Sequence, residues 1–467
     1  MESKRGKYTM EKEKMGKRNI ESSSRVLNQT LGLPTAISTV VGCVIGSGIF
    51  FKPQAIYTVT GGAPGLGMLA WVITGLVSIA AALTFAEIAI LFPETGGIPT
   101  YLSRVYGPKA GFLAGWVQVV LFYPAMVSAL AVACAQQMAL FLGDGLVVPC
   151  AVAVILLIVF LNTLGSKVGG GVQVVFTICK MIPLILLMVF GFLWGDGNYP
   201  VFSPMLGDGV SPVSAVGQLM VAVLFAFEGW TSVGAISGEM KNTERDLPRA
   251  IVGGVSIITA VYFVMNLAYL QVLSAEEMAN LPAPASAAAI ALFGEAGGKL
   301  VSVGIVVSVF GACNGFVFSG SRVAYFMASQ GLLPGSRRLS RLNKNHVPGS
   351  CIVLTGVLGI LLSMTGQFNL LTDLAVFSSW TFYTLTFMAV IRYRKMRPDV
   401  KRSYRVPGYP LTPVIAIGSG VFVIVNQLCL AGFRASAMSL GSIAVMAAGA
   451  AVYEGMRKRE RKSEIKM

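Results

Sequence analysis

Two apolar segments, each interrupted by glycine, hold the main-chain groups best suited to bind a small charged molecule. They are Val41–Phe50 (VGCVIGSGIF) and Leu224–Gly234 (LFAFEGWTSVG). Glycine weakens a helix, so N–H and C=O groups that would pair within the helix become available to a ligand. Free N–H groups suit a carboxylate and free C=O groups suit an ammonium. The two segments therefore predict a binding site for a zwitterion.

In the first segment, we expect the helix to break at Gly46–Gly48. A helix that restarts there begins with unpaired N–H groups at the positive end of its dipole, so the backbone of Ser47–Ile49 is expected to hold a carboxylate. The helix before the break ends with unpaired carbonyl groups at Val44 and Ile45, which suit an ammonium. A GxG pattern alone is more typical of close helix packing. The matching break in the second segment favours a site.

The second segment combines two phenylalanines, a carboxylate and a glycine in FAFEGW. The carbonyl groups of Phe225, Ala226 and Glu228 are expected to complete the ammonium site, with the break at Gly229. Either Phe225 or Phe227 is expected to close over the ligand, and the sequence does not decide between them. A charged Glu228 at mid-membrane costs about 2.5–3.5 kcal/mol on insertion scales. We favour a structural role for Glu228, holding the unwound backbone, over contact with a ligand ammonium.

Two further charged residues lie within apolar stretches. Lys180 sits roughly 12 Å along its segment, counted from about Val172 at about 1.5 Å per residue, which is too deep for easy snorkelling. We expect its ammonium to tether the inner half of the first broken segment; the alternative is a snorkelling lysine. Glu87 approaches the inner surface and is expected to belong to an inner gate or a network that locks the fold. Arg104 and Arg322 are its candidate partners.

Other polar residues give a weaker signal. Tyr123, Cys313 and Asn314 are candidates for pocket lining, although core packing is the better single interpretation of each. Asp373 lies near a segment end and is expected to be solvated. The seven cysteines have no CxxC spacing, and His346 is the one histidine in the sequence. We therefore expect no disulfide framework, no metal and no cofactor.

The elements that position these residues are predicted to be membrane-spanning helices. Of 467 residues, 55% are hydrophobic and 12% charged, and the mean hydropathy of +0.72 lies outside the soluble range. Runs of about 20 apolar residues, long enough to cross about 30 Å of hydrocarbon, recur twelve times. They lie at about 33–58, 66–92, 112–142, 146–164, 172–195, 213–238, 250–273, 297–328, 349–365, 369–391, 410–430 and 437–456. We predict an all-α membrane protein with twelve transmembrane helices, here called spans one to twelve.

The two glycine breaks fall in spans one and six. Equivalent points are then five spans apart, an odd number, so the second half must be inserted upside down relative to the first. This topology predicts a five-plus-five inverted repeat, with spans one to five in residues 31–195 and spans six to ten in residues 213–392. Spans eleven and twelve occupy 410–456. Residues 1–30 and 457–467 are predicted to be basic cytoplasmic tails.

The net charge is +15, and the positions of the Lys and Arg residues along the chain indicate which segments face the cytoplasm. With both termini in the cytoplasm, 31 of the 36 Lys and Arg residues lie in inner segments and three, Lys52, Lys299 and Arg434, lie in outer segments. This asymmetry fits the positive-inside rule. The sequence therefore predicts a multi-pass protein of the plasma membrane, surrounded by the lipid bilayer, with both termini cytoplasmic and no nucleic acid partner.

These residues resemble the amino acid–polyamine–organocation (APC) superfamily and, within it, the L-type amino acid transporters. The bacterial serine/threonine and alanine/serine/cysteine exchangers are particularly similar. The resemblance runs from about Leu31 to Met456. Its specific points include GSGIF at 46–50, AEIAILFPETGGIPTYLSRVYG at 86–107, VGGGVQVVFTICKMIP at 168–183, FAFEGW at 225–230 and GEMKNTERDLPRAI at 238–251.

The resemblance implies a twelve-span fold, alternating access and exchange of amino acids. It implies that the backbone at Ser47 and Gly48 binds the substrate carboxylate, that carbonyls of both breaks bind the ammonium, and that Lys180 stands in for the sodium of sodium-coupled relatives. Eukaryotic members bond a partner glycoprotein through a cysteine in the loop between spans three and four. Here that loop is only a few residues long and Cys150 is expected to start span four, so we expect no ancillary glycoprotein.

The sequence thus predicts sodium-independent exchange of small neutral L-amino acids such as Ala, Ser, Thr or Cys. One alternative is proton-coupled uptake, with Lys180 or Glu228 titrating; another is a membrane receptor that binds amino acids without moving them. Glu228 also leaves cationic substrates open. An enzyme is not expected, because no cluster of nucleophile, base and orienting acid is evident. The sequence leaves the oligomeric state open.

Overall fold

The computed structural model describes residues 29–94, 96–197, 199–430 and 433–466. The predicted N-terminal tail lies outside them except for residues 29 and 30. Within the described residues, nine helices are long and apolar enough to cross a membrane, and three shorter apolar helices complete the twelve predicted spans. We call the end of the bundle that holds Leu31 the inner end, following the orientation that the charges predict.

The breaks and bounds of the spans are as follows. Span one comprises Leu33–Val44 and Gly48–Val59, span two Pro64–Leu91, span three Pro108–Val117, Gln118–Phe122 and Tyr123–Leu142, span four Val147–Thr163, span five Ser166–Trp194, and span six Pro212–Ala226 and Ser232–Ala235. Span seven comprises Thr243–Pro248, Arg249–Gly253 and Gly254–Val272, span eight Pro284–Ser329, span nine Gly349–Ser363, span ten Phe368–Met396, span eleven Leu411–Val425 and Asn426–Leu430, and span twelve Phe433–Lys466. Shorter helices connect them at Ile98–Tyr106, Ala275–Asn280 and Ser336–Leu339.

Proline marks where several of these helices begin. It occupies the first turn at Pro34, Pro64, Pro108, Pro212 and Pro284. The ring fixes φ near its helical value and the missing N–H would have had no partner there, so proline starts a helix without cost. Span eight differs from the predicted 297–328 because its helix is kinked at Gly294 (φ +68°), and a short helical segment precedes the kink.

The helices of spans one and six are interrupted where the sequence predicts it. Residues 45–47 leave the helix of span one, and residues 227–231 form turns in span six. Gly229 has φ +116°, a conformation that residues with a side chain rarely adopt. The predicted all-α fold with twelve spans and two broken helices is therefore confirmed. The residue boundaries of the two repeats stay a prediction.

The bundle has a buried centre and a loosely attached edge. In span three, 94% of the most apolar window is buried, whereas the value for span twelve is 17%. The indole N–H of Trp116 donates to the Val445 carbonyl (3.0 Å), and Lys109 pairs with Glu454 (2.9 Å), so both contacts attach span twelve to span three. The helix of span twelve continues to Lys466, so the predicted basic C-terminal tail is helical over its described part.

The inner ends of the two broken spans are joined directly. The Leu31 N–H donates to the Glu239 carbonyl and the Lys241 N–H donates to the Leu31 carbonyl, both at 2.9 Å, which forms a parallel β-bridge between Leu31 and Met240. The Glu239 side chain also pairs with Arg322 of span eight at 3.0 Å, and both side chains are fully buried. This ion pair fixes span eight to the inner end of span six.

We expect Glu239→Gln to lower the free energy of unfolding by about 3–5 kcal/mol, because it leaves the buried Arg322 charge without its carboxylate. The melting temperature of the purified protein in detergent measures the effect. Glu94→Gln is the matched control, since the Glu94–Arg104 pair is about half exposed and such pairs contribute about 0–1 kcal/mol. Equal melting temperatures for the two variants would contradict the assignment.

Candidate functional site

The two breaks lie against each other at the centre of the bundle. A Cβ atom added to Gly48 would lie 2.5 Å from the Cα atom of Ala226, so only glycine allows this contact between the two backbones. Residues of both breaks that were predicted to bind a ligand are all buried. They are Val44, Ile45, Gly46, Ser47, Gly48, Ile49, Phe225, Ala226, Phe227, Glu228 and Gly229. The structure therefore shows the breaks closed on each other.

A tyrosine of span seven joins the two breaks through their carbonyl groups. The Tyr262 hydroxyl lies 3.0 Å from the Val44 carbonyl oxygen and 3.0 Å from the Ala226 carbonyl oxygen. A hydroxyl has one proton, so it can donate to only one of these acceptors at a time. At any moment, one of the two carbonyl oxygens therefore lacks a hydrogen bond from Tyr262. Sequence reasoning missed Tyr262, because a tyrosine in an apolar run is usually a packing residue.

The Lys180 ammonium holds the end of the inner half of span one. The side chain is fully buried, and Nζ donates to the carbonyl oxygens of Gly42 (2.7 Å) and Ile45 (2.6 Å). This is the contact that a tethering lysine makes, and a snorkelling lysine would instead reach the surface. The Ile45 carbonyl, predicted to face a ligand ammonium, already accepts the Lys180 bond in this conformation.

Lys180 is the last of three donors on one face of span five. Gln173 donates to the Ser38 carbonyl at 3.4 Å, and the Thr177 hydroxyl lies 3.2 Å from the same oxygen and 2.7 Å from the Gln173 carbonyl oxygen. The three side chains are spaced i, i+4 and i+7, which places them in a line along one face of a helix. That spacing was readable in the sequence but was not used to predict Gln173 and Thr177.

The outer half of span one begins at Ser47 with donors free for a ligand. The N–H groups at the start of a helix have no partner within it, and the Ser47 carbonyl accepts from the Phe50 and Phe51 N–H groups at 3.2 and 3.0 Å. The Ser47 hydroxyl is buried and has no hydrogen-bond partner among the described residues. Leaving such a group unpaired costs about 1–3 kcal/mol, so a ligand oxygen placed here would gain a donor.

Glu228 binds span ten. Its carboxylate accepts a hydrogen bond from the Ser379 hydroxyl at 3.1 Å and another from the Tyr383 hydroxyl. The Tyr383 hydroxyl in turn lies 2.8 Å from the Thr231 hydroxyl, beyond the break. These contacts agree with a structural role for Glu228, since the carboxylate links the unwound turn of span six to its neighbour.

An aromatic layer closes the outer side of the breaks. We call Phe51, Lys52, Phe225 and Phe368 the outer layer. The three phenylalanine rings pack together, with centroids 5.9 Å apart (Phe51–Phe368) and 5.5 Å apart (Phe225–Phe368). Phe227 instead packs inside, against Tyr262 at 5.2 Å. Of the two phenylalanines that the sequence left open, Phe225 is therefore the one between the breaks and the outer side.

The structure corrects the placement of Lys52. Charge counting assigned it to an outer segment, but it lies inside the helix Gly48–Val59 and is 3% exposed. Its ammonium donates to Asn369 Oδ1 (3.3 Å) and Thr372 Oγ1 (3.2 Å) of span ten and lies 4.9 Å from the centroid of the Phe225 ring. Both acceptors come from a span far away in sequence. Residue 52 also falls within the predicted span 33–58, and the structure agrees with that span and not with the charge count.

A vestibule opens outside this layer. Its volume is about 690 Å³, and its lining includes Phe51 and Phe368 of the outer layer together with Asn369. Asp373 also lines the vestibule and is half-buried, not fully solvated as the sequence suggested. The outer layer thus separates an open vestibule from the closed breaks.

Inner contacts close the opposite side. Trp230 packs edge-on against Phe85 with centroids 5.2 Å apart, and the Ser237 hydroxyl donates to the Glu94 carbonyl at 3.1 Å. Together with the Glu239–Arg322 pair, these contacts form what we call the inner layer. Both layers are closed in the same structure, so the breaks are shut off from either side.

The predicted partners of Glu87 were wrong. Arg394 of span ten donates from Nε to its carboxylate at 2.8 Å, Arg402 Nε lies 3.4 Å away, and the Val406 N–H donates at 2.8 Å. The candidate partners are engaged elsewhere, Arg104 with Glu94 and Arg322 with Glu239. The inner end of span two therefore contacts the loop that follows span ten. The two segments are far apart in sequence, so the sequence did not indicate this contact.

The three weaker candidates lie in packing contacts. The Tyr123 ring packs against Phe316 with centroids 6.3 Å apart, and the Cys313 thiol donates to the Val127 carbonyl at 3.5 Å. The Asn314 amide donates to Gln173 Oε1 at 3.0 Å and so joins the donors of span five. A pocket-lining role for Tyr123, Cys313 and Asn314 stays a prediction.

Comparison with known proteins agrees with this architecture. The sequence profile of the family described as amino acid permease matches residues 31–449. The serine/threonine exchanger SteT of Bacillus subtilis (strain 168) is 39% identical over 93% of this chain and 98% of its own length. The human b(0,+)-type amino acid transporter 1 is 29% identical over 87% of this chain and 84% of its own, and the mouse Asc-type amino acid transporter 1 is 27% identical over 86% and 77%. The chain therefore belongs to the amino acid permease family.

Proposed function

We propose that this protein exchanges small neutral L-amino acids across the plasma membrane by alternating access, without sodium. The observation that carries the proposal is the pair of unwound turns, closed on each other through Gly48 and Ala226 and shut off from both sides. A site that can be closed at its outer and its inner layer is what alternating access requires.

The two breaks offer complementary groups to a zwitterion. The N–H groups at the start of the outer half of span one are donors for a carboxylate, as is the Ser47 hydroxyl, which has no partner in the described part of the chain. The carbonyl groups of Val44 and Ala226 converge on the single Tyr262 proton, so one of them is available to an ammonium. Recognition through the main chain fixes the α-amino acid moiety and leaves the side chain to the surrounding pocket.

The closed contact explains how binding and movement are coupled. Because the Gly48 and Ala226 backbones touch, a substrate must separate the two breaks to enter. Opening the outer layer moves Phe225 away from Phe368, and opening the inner layer moves Trp230 away from Phe85. Each movement exposes the same site to one side of the membrane.

Sodium independence follows from Lys180. A coupling cation would order the unwound turn by binding its carbonyl groups, but the resident Lys180 ammonium already binds those of Gly42 and Ile45. Glu228 is bound to Ser379 and Tyr383, so it serves the fold of the break more than the substrate. We expect neutral amino acids to be preferred for this reason.

The size of the substrate follows from the aromatic side chains around the breaks. The rings of Phe227, Tyr262 and Trp71 pack against one another, with centroids 5.2 Å (Phe227–Tyr262), 5.5 Å (Trp71–Tyr262) and 6.4 Å (Trp71–Phe227) apart. Small side chains fit such a site best, which supports Ala, Ser, Thr or Cys as substrates. The name of the B. subtilis relative, a serine/threonine exchanger, points the same way.

We infer that both termini are cytoplasmic and that no ancillary glycoprotein is needed. The excess of Lys and Arg at one end of the bundle supports the orientation. Cys150 lies within the helix Val147–Thr163, one turn from its start, and not in an outer loop. It is therefore poorly placed for a disulfide to a partner chain.

In proteoliposomes, preloaded unlabelled L-serine should drive uptake of radiolabelled L-serine, with L-alanine, L-threonine and L-cysteine competing. Replacing sodium by choline should leave the rate unchanged, because Lys180 already supplies the cation. Binding without counterflow would contradict exchange, and uptake that requires a proton gradient would contradict the coupling proposed here.

Lys180→Met should reduce counterflow at least about tenfold, because it removes two charge-assisted hydrogen bonds of about 1.5–3 kcal/mol each from the unwound turn. The protein should still insert and purify as a monodisperse species. Lys299→Met, at an exposed outer lysine, is the matched control and should transport normally. Full counterflow in Lys180→Met would remove the assigned role.

Gly48→Ala should also reduce counterflow at least about tenfold, a loss of about 1.4 kcal/mol or more in the rate-limiting step. The added Cβ would overlap the Ala226 backbone at 2.5 Å and hold the two breaks apart. Gly171→Ala in span five adds a methyl group with no atom within 4 Å and is the control. Similar rates for both variants would show that the contact at Gly48 is dispensable.

A further inference from the structure

A second polar cavity lies beside the vestibule, among the outer ends of spans one, six, ten and eleven. Its volume is about 250 Å³, the space of roughly eight water molecules at about 30 Å³ each. Its polar lining consists of Lys52, Gln218, Asn369, Asp373, Asn426 and Gln427, and we call it the side pocket. None of the described residues 44–49 or 225–229 lines it, so it is separate from the site between the breaks.

The lining carries one charge of each sign among uncharged amides. The buried Lys52 ammonium donates to Asn369 and Thr372, and Asp373 supplies the negative charge of the same lining. A lining with only a cation would favour an anion, and one with only a carboxylate would favour a cation. A cation and a carboxylate together favour a molecule that carries both charges.

One donor in the side pocket has no partner. Asn426 is 2% exposed, and its Nδ2 atom makes no hydrogen bond to any described residue. An unpaired buried donor costs about 1–3 kcal/mol, and that cost is recovered when a ligand acceptor binds. Asn426 of span eleven and Lys52 of span one both line the side pocket, so a ligand carboxylate held there has a donor from each span.

We propose that the side pocket is a second binding site for a small zwitterionic amino acid, reached from the outer side. Lys52 and Asn426 hold the carboxylate, and Asp373 with the Asn369 side-chain oxygen holds the ammonium. The inference rests on the proposed function, since the ligand is the same class of molecule as the exchanged substrate. The pocket shares Asn369 and Asp373 with the vestibule, which gives the ligand its route of entry.

Occupancy of the side pocket also bears on the outer layer. Lys52 contributes to both, because its ammonium bonds Asn369 and Thr372 while it lies over the Phe225 ring. A ligand carboxylate that takes up the Lys52 ammonium competes with these two bonds to span ten. External amino acid in the side pocket therefore loosens the contact that closes the outer side.

Equilibrium dialysis of the purified protein with radiolabelled L-serine tests the proposal. Wild-type protein should bind about two molecules per chain, and Asn426→Leu about one. Gly217→Ala should act in the same way without removing a polar group, because its Cβ would lie 2.0 Å from Asn426 Oδ1 and displace that side chain. Gly418→Ala in span eleven adds a methyl group with no atom within 4 Å and should bind as wild type does.

Counterflow in proteoliposomes, measured on the same preparations, separates this inference from the proposed function. If wild-type protein shows counterflow but binds only one L-serine per chain, the side-pocket proposal is wrong and the exchange proposal stands. The cavity would then hold water only. Two bound molecules without counterflow would overturn exchange and leave the pocket standing. The side pocket would also be overturned if Gly217→Ala and Asn426→Leu bound no L-serine, or if they still bound two molecules per chain.

Discussion

Main-chain groups that leave a helix inside a membrane must find other partners, and the rest of this structure depends on how that need is met. Lipid offers none, and each unsatisfied group costs several kcal/mol. Here the partners come from neighbouring spans: Lys180 for the carbonyls of Gly42 and Ile45, and Tyr262 for one at a time of those of Val44 and Ala226. A broken helix is stable in this bundle only because other helices complete it.

The same need explains why the breaks suit transport. A regular helix pairs its own backbone and has nothing to offer a ligand, whereas each unwound turn exchanges partners at little cost. In the closed state side chains of neighbouring spans are the partners, and in the mechanism proposed above a zwitterion replaces some of them. The closed contact requires glycine at position 48, because any side chain there would keep the two backbones apart.

The sequence predicted the features that are energetically unfavourable within a single segment. Glycine inside an apolar run and a lysine deep in a span are anomalies that a single segment reveals, so the two breaks, the twelve spans and the tether at Lys180 could be read directly. Their partners could not. Tyr262 looks like any tyrosine of an apolar helix, and its position between two carbonyls depends on the packing of spans one, six and seven.

Charged residues failed in the same way. Arg104 and Arg322 were the predicted partners of Glu87. Its actual partners, Arg394 and Arg402, lie more than 300 residues further along the chain. Lys52 was counted as an outer charge although it falls within the predicted span 33–58, and its hydrogen-bond acceptors, Asn369 and Thr372, are equally remote. Pairing between distant segments is set by tertiary packing, and a one-dimensional charge count contains no information about it.

The length of the last helix has a mechanical consequence. Its 34 residues extend about 51 Å at about 1.5 Å per residue, whereas the hydrocarbon is about 30 Å thick. Roughly 20 Å of rod must therefore project into water or the headgroup region, most of it at the basic end. A fluorescent or antibody-binding domain fused in register with this rod would be held at a fixed height and rotation, and would serve as a rigid fiducial.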